Sequence, residues 1–291
     1  MLPYLVFLII YAVSLFFGLI AGAILFNSMD WTWKEMNEDI GDFVPKVRKN
    51  ARHILLYIGA ILLIPLALAF YPYYHAVFSF DFTPSVFERE GCILAGIQNA
   101  LPSDALTLLL SAVYVFGIVY ILFLTPVLVV WRDEFHDGMM KLSYLVLFNV
   151  LFALPFFIVI HLTVPSVYDP QTVRPLLYQN PNFHEFITYF GGEGGFHNDF
   201  PSHHVSTAFA LFIFVCLNRK HRLAGYGIFT GVLAVLTLVS TIYLGIHYII
   251  DVIGGLVLAI IANAAVCLLF SAGKSGKTPK KTTPPKPDRV L

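Results

Sequence analysis

Two stretches near the C-terminal end place titratable side chains in apolar surroundings: FPSHHVSTAFALF at 200–212 and STIYLGIHYIIDVIGG at 240–255. Ionisable groups are costly in hydrocarbon and are kept mainly where they work. His247 and Asp251 stand four residues apart, a spacing that on a helix puts both on one face within reach of each other. A carboxylate that accepts the proton of one ring nitrogen fixes the imidazole tautomer. The other nitrogen is then left as a base or nucleophile. Gly254 and Gly255 follow at once, small residues that let a neighbouring helix come close. His204 stands at an expected helix start behind Asp199, Pro201 and Ser202, residue types that favour that position. Free backbone N–H groups and the positive dipole end make such a start a place for a phosphate. The GGEGG segment at 191–195 gives the preceding loop room to bend around a head group. With Arg174 upstream, these residues suit phosphoryl transfer. One histidine attacks phosphorus, the other protonates the leaving oxygen, and cationic and dipolar groups stabilise the equatorial oxygens. The scheme requires neither metal nor cofactor.

Each residue also has a plainer role to weigh. His247 and Asp251 can be a buried polar pair that holds helices together, and His204 an interfacial histidine. Arg174 can meet lipid head groups, Ser202 can serve only as a helix cap, and Ser240 is as readily a helix-packing hydroxyl as a phosphate contact. His203 neighbours His204 but points about 100° away on a helix, which makes it secondary. His184, Glu185, Glu193, His197 and Asp199 have spacings that match no compact metal-ligand pattern, and read as a solvated loop.

The elements that must position these groups follow from composition. The 291 residues are 58% hydrophobic and 12% charged, where soluble domains carry about a quarter charged residues. Mean hydropathy is +0.76. The chain is therefore membrane-embedded, and its formal net charge of zero argues against a nucleic-acid partner. Apolar runs near the length needed to cross a bilayer predict seven spans: Leu2–Phe26, Ile54–Tyr71, Leu106–Trp131, Leu142–Val164, Val205–Leu217, Tyr226–Leu244 and Ile249–Phe270. The first lacks the basic start and small-residue cleavage site of a signal peptide and reads as a retained helix. The fifth is short and can begin inside PSHH. Cys92, Cys216 and Cys267 give no disulfide framework.

Basic residues set the orientation. Loop 27–53 holds five, 132–141 two, 218–222 three and 271–291 six, whereas 72–105 and 165–204 hold one each, Arg89 and Arg174. Sixteen of eighteen thus fall on one side, which the positive-inside bias makes cytoplasmic. Seven of the ten histidines, His204 and His247 among them, fall on or near the opposite, outer face. The expected organisation is an extra N-terminal helix and cytoplasmic loop over 1–53, a catalytic bundle over 54–270, and a disordered basic, Pro-rich tail over 271–291. Trp31 and Trp33 mark an interfacial segment, and the tail suits contact with anionic lipid. The fold class is all-α, a polytopic transmembrane helical bundle whose last six spans form the core.

The residues match a family pattern. PSHH at 201–204 resembles the Pro-Ser-x-His motif of the type-2 phosphatidic acid phosphatase superfamily. STIYLGIHYIID at 240–251 resembles its Ser-Arg-x5-His-x3-Asp motif, with Ser240, His247 and Asp251 in place. Arg174–Pro175 resembles the end of its Lys-x6-Arg-Pro motif. The resemblance covers about 165–255 and implies a helical membrane enzyme that acts on lipid phosphates without metal. By it, His247 is the nucleophile that forms a phosphohistidine, Asp251 orients it and His204 is the general acid. Arg174, Ser202 and Ser240 contact phosphate, and His203 is an auxiliary cation. Two positions depart: Val167 stands where the family has Lys, and Thr241 where it has Arg. The inositol phosphorylceramide synthase-like branch also lacks the full set of cations. It carries a similar Tyr-Leu-x-x-His-Tyr-x-x-Asp stretch, here Tyr243–Asp251. In that branch the phosphohistidine is discharged to an alcohol of another lipid or a polyol.

The leading expectation is a lipid phosphatase or phosphotransferase with a lipid phosphate as substrate and water, an alcohol or a polyol as acceptor. Two other classes compete with it. One is a catalytically inactive relative that binds lipid head groups, favoured by the missing Lys and Arg. The other is a transporter using the His/Asp cluster as a proton relay, disfavoured because the cluster lies at one face and no internal repeat is seen.

Overall fold

The computed structural model describes residues 41–70, 73, 79–131, 137–181, 183–184, 200–218 and 224–275, together with Gly18 and Gly22. The expected first span apart from those two glycines, Trp31 and Trp33, the GGEGG segment, Glu185, Glu193, His197, Asp199 and the tail beyond 275 lie outside the described residues.

The order of elements is α1 (Phe43–Ala69), β1 (Phe80–Asp81), α2 (Thr83–Ala100), α3 (Asp104–Trp131), α4 (Gly138–Val159), β2 (Ile160–His161), α5 (Pro165–Tyr168), α6 (His203–Asn218), α7 (Ala224–Tyr243) and α8 (Ile249–Ser275). Five of these, α1, α3, α4, α7 and α8, are long and apolar enough to cross a membrane, and α6 is a shorter apolar helix. The protein is thus an all-α, multi-pass membrane bundle. Successive spans run in opposite directions, so 69, 104, 159, 203, 243 and 249 gather at one end of the bundle. The ends near 43, 131, 138, 218 and 224 gather at the other.

Three expected boundaries shift. α1 begins at Phe43 rather than Ile54, because its basic first turns continue the helix beyond the apolar run. α4 ends at Val159 instead of Val164, where Ile160–His161 turn extended and pair in parallel with Phe80–Asp81. The expected outer loop 72–105 contains a helix of its own, α2. Pro84 suits its first turn. Its apolar and polar residues are interleaved, and Thr83, Gly91, Leu94 and Gln98 form the buried stripe that helical periodicity requires. Two further bonds fasten its start to the end of α4: Phe82 N–H donates to the His161 carbonyl, and Thr163 N–H to Thr83 Oγ1, both at 3.0 Å.

The core is built by Ile121, Leu124 and Leu128 of α3, Leu142 and Leu145 of α4, Leu211 and Phe214 of α6, and Ala259 and Ala262 of α8. Hydrocarbon outside the bundle is as apolar as the core, so polar side chains do part of the joining. Asn149 Nδ2 donates to Ser206 Oγ (3.2 Å) and Thr207 Oγ1 (3.1 Å), linking α4 to α6. Asn263 Nδ2 donates to the Ala210 carbonyl (3.1 Å), linking α8 to α6. Gly18 and Gly22 are both helical. The Tyr120 hydroxyl donates to the Gly18 carbonyl at 3.0 Å, which seats this part of the first apolar run on α3.

One turn of α3, Val113–Gly117, is a π-helix. Such single turns admit an extra residue into an α-helix and cluster at functional sites. Here the turn carries buried Tyr114 to the end of the bundle where α6 begins.

Candidate active site

The 240–251 stretch that carries His247 and Asp251 does not form a continuous helix. α7 ends at Tyr243, and Gly245 follows with φ +70°, the left-handed residue that commonly closes a helix. The N–H groups of Ile246 and His247 both return to the Thr241 carbonyl, at 3.0 and 3.1 Å. His247 therefore lies in the turn, and Asp251 lies in the first turn of α8. What joins them is a cap. Tyr248 precedes the helix, and its N–H donates to Asp251 Oδ2 at 2.9 Å, as an acidic third residue does in a capping box. His247 Nδ1 then lies 3.5 Å from the same oxygen, near enough for the charges of an ionised pair to interact but without a hydrogen bond between them. The two side chains are 6% and 0% exposed. The closeness expected from helical spacing is present, but capping geometry produces it.

The PSHH stretch at 201–204 is fastened to this pair through the backbone. Ser202 N–H donates to the Asp251 carbonyl at 3.0 Å. Ser202 Oγ accepts from Val205 N–H at 3.4 Å, so the serine is a buried N-cap of α6. Gly255 makes the approach possible. A Cβ there would lie 2.6 Å from the Ser202 carbonyl oxygen, backbone that cannot give way. At Gly254 a Cβ would lie 2.9 Å from the Phe200 ring.

His204 stacks on Tyr114, ring centroids 4.2 Å apart with planes at 20°. His203 Nδ1 pairs with Thr207 Oγ1 at 2.7 Å, the hydroxyl that Asn149 also holds. His203, His204 and Thr207 also line a cavity of about 180 Å³ with Ile61, Ile64, Ile118, Leu122 and Val146. Its walls are almost wholly apolar.

Arg174 is exposed on a loop whose turn is built by Asp169. The Asp169 carboxylate accepts from Gln171 N–H (3.1 Å), Thr172 N–H (3.2 Å) and the Thr172 hydroxyl (2.7 Å). The Thr172 hydroxyl and N–H hold the Asp169 carboxyl below its ordinary range. Arg174 Nη2 donates to the Gln98 carbonyl at 2.9 Å. Val173 packs under Gly245, where a Cβ would lie 2.8 Å from Val173 Cγ1. Ser166 N–H, at the start of α5, donates to the Gly245 carbonyl at 3.1 Å. The Arg174 loop is therefore docked on the turn that carries His247.

Of the residues singled out in the sequence, His203, His204, His247, Asp251 and Ser202 come together at one bundle end, with the Arg174 loop against them. Ser240 is fully buried and its hydroxyl donates to the Thr237 carbonyl at 2.7 Å. Thr241, standing for the family's Arg, donates to the Leu238 carbonyl at 2.8 Å. Among the described residues Arg89 and Arg174 are the basic side chains at this end.

Sequence reading passed over Tyr114, Asn149, Glu90 and Gln98. Asn149 was open to detection as a polar residue inside an apolar span. The α2 pair had one signal, the stripe Phe87, Gly91, Leu94, Gln98 in what read as a loop. Glu90 Oε2 accepts from Ile249 N–H (2.6 Å) and Ile250 N–H (3.4 Å), the first residues of α8. Burial raises the Glu90 carboxyl above its ordinary value. Those two N–H groups oppose the rise, and the nearby Asp251 charge adds to it.

Neither a curated protein nor a solved structure matches the chain. Residues 148–274, the stretch from α4 through α8 that contains both histidine motifs, match the model of the PAP2 superfamily.

Proposed function

We propose that the protein is an integral-membrane lipid phosphatase or phosphotransferase that forms a phosphohistidine on His247 at the extracytoplasmic face. The observation that carries this reading is the buried His247–Asp251 pair, tied through the Ser202 amide to the helix start that presents His204. Residues 148–274, matched to the superfamily, contain all of these groups.

In the first step His247 Nε2 attacks phosphorus while the phosphorus–oxygen bond to the lipid breaks. His204 gives its proton to the departing oxygen. Asp251 holds the Nδ1 side and stabilises the imidazolium. In the second step His204 takes a proton from water or an alcohol, whose oxygen attacks phosphorus and frees His247. Arg174 and the start of α6 stabilise the phosphoryl oxygens. The outer placement rests on the scarcity of basic residues in the loops of this end.

Few cations surround the phosphate, and the Tyr243–Asp251 stretch follows the pattern of the inositol phosphorylceramide synthase-like branch. Both favour transfer to an alcohol or polyol over hydrolysis. The test is phosphate release from a panel of lipid phosphates by purified protein with EDTA present, for wild type and His247→Ala. Release that resists EDTA and vanishes in the variant supports the scheme. If wild type releases nothing, labelled lipid phosphate with added polyols is the next arm. A labelled product there supports transfer, and its absence moves the assignment to a head-group-binding protein.

A further inference from the structure

We infer that α2, which lies outside the segment matched to the superfamily, is a brace that sets the catalytic turn through two positioning residues, Glu90 and Gln98. The inference rests on the proposed phosphoryl-transfer reading of His247 and Arg174.

The turn 244–248 joins two spans and carries His247. Its two ends are held from the same helix. At the leading end Gln98 Nε2 donates to the Tyr243 carbonyl at 3.0 Å. At the trailing end Glu90 Oε2 accepts from Ile249 and Ile250 N–H. Residues 90, 94 and 98 fall on one face of a helix. Between the two polar side chains Leu94, 0% exposed, packs in a cluster with Tyr248, Val173 and Leu162.

Gln98 does more than hold one carbonyl. Its Nε2 also donates to the Arg174 carbonyl (2.9 Å), and its Oε1 accepts from Arg174 N–H (2.8 Å). Its own carbonyl accepts from Arg174 Nη2. One carboxamide, 1% exposed, thus fixes the backbone of the proposed phosphate-binding arginine relative to the end of α7. No hydrocarbon side chain of the same size can do this. Without that carboxamide the Tyr243 carbonyl would be left unpaired in a buried place, which folded chains avoid. Arg174 and His247 are 73 residues apart in sequence; Gln98 gives them a shared reference point. Displacing a reacting group by about 1 Å can cost about a hundredfold in rate, so a brace of this kind acts on turnover more than on binding.

The experiment uses the full chain in detergent, with Gln98→Leu and Glu90→Leu as breaking variants and Glu90→Gln, which keeps an acceptor oxygen, as the conservative one. Two readouts are independent. Amide hydrogen exchange reports the brace itself, and turnover of dioctanoyl phosphatidic acid in mixed micelles reports its effect on the reaction. The brace predicts faster exchange in 243–251 for both Leu variants, and in 165–176 for Gln98→Leu, with 205–218 unchanged. It also predicts kcat lower by about tenfold to a hundredfold, KM nearly constant, and substantial recovery in Glu90→Gln. Exchange and kcat both at wild-type level would overturn it. So would exchange that rises evenly across the bundle with kcat per folded molecule unchanged, the mark of a merely structural role. If local exchange rises but wild type is inert on every lipid phosphate and acceptor, the brace stands as a structural assignment and the catalytic reading fails.

Discussion

The two ends of the bundle are built differently. At the end that carries the histidines, hydrogen bonds from side chains and from backbone reach backbone groups across long stretches of sequence. Gln98 reaches Arg174 and Tyr243, Glu90 reaches Ile249, and Ser202 meets Asp251. Among the described residues the opposite end shows fewer such links. Lys46 Nζ donates to the Trp131 carbonyl at 2.9 Å, and Lys141 Nζ to Asn218 Oδ1 at a long 3.4 Å. Beside Lys141 lies an open cavity of about 650 Å³, walled by Tyr144, Phe214, Asn263 and Phe270. A packed apolar bundle keeps its helices together without help from its ends. The network at the histidine end, denser among the described residues than that at the looser opposite end, therefore marks where the position of individual groups matters most.

The comparison is broken most sharply at His247. His247→Asn should lower turnover by about a thousandfold or more, the scale on which removing a nucleophile acts, and Asp251→Asn by at least about a hundredfold. Circular dichroism should show the fold retained in both, and an active His247→Asn protein would remove the nucleophile assignment. Next comes the contact between the two motifs. Gly255→Val forces α8 away from the Ser202 carbonyl, with an expected loss of about 1–3 kcal/mol and of activity together. An unchanged melting temperature would mean that the close approach is not a constraint. The same substitution at Gly59, where a side chain meets nothing within 4 Å, should leave activity intact.

A smaller effect is expected from Glu90, and its sign is fixed. Its folded-state carboxyl is raised above the ordinary 4.5, so the folded chain binds its proton more tightly than the unfolded chain does. The stabilisation from that proton is complete below pH 4.5 and lost as pH rises through the higher folded value. The stability of wild type relative to Glu90→Gln should therefore fall as pH increases across that window, as followed by thermal melts. A wild type that gains stability relative to the variant as pH rises would contradict the burial of this carboxyl. The smallest effect belongs to the other end. Lys141→Ala should change stability by no more than about 0.5 kcal/mol and leave turnover as it was. A marked fall in turnover would show that the looser end is not neutral to the site.

The sequence made one part of this legible because its signals are local. Apolar runs marked the spans, and PSHH with the His247–Asp251 spacing marked the residues that the bundle brings to one end. The remainder is held by contacts distant in sequence. Glu90 and Ile249 are 159 residues apart, Gln98 and Arg174 76, and nothing near either member announces the other. α2 read as a loop because its stripe is narrow and interrupted by charge. Ser240 shows the converse, since its place in the motif says nothing of the Thr237 carbonyl that its hydroxyl meets.

The π turn at Val113–Gly117 adds a last consequence, one of phase. A residue added to or removed from a helix rotates everything beyond it by about 100°. The wide turn lets the half of α3 before it and the half after it each keep their own angular setting. Thr107 ahead of the turn meets the Tyr243 hydroxyl at 3.0 Å, and Thr125 behind it meets the Tyr226 hydroxyl at 2.7 Å, two tyrosines on the same neighbouring helix α7. If the turn were tightened to regular α-helical geometry with every residue kept, one half would swing about 100° against the other, and only one of those tyrosines could be met at a time.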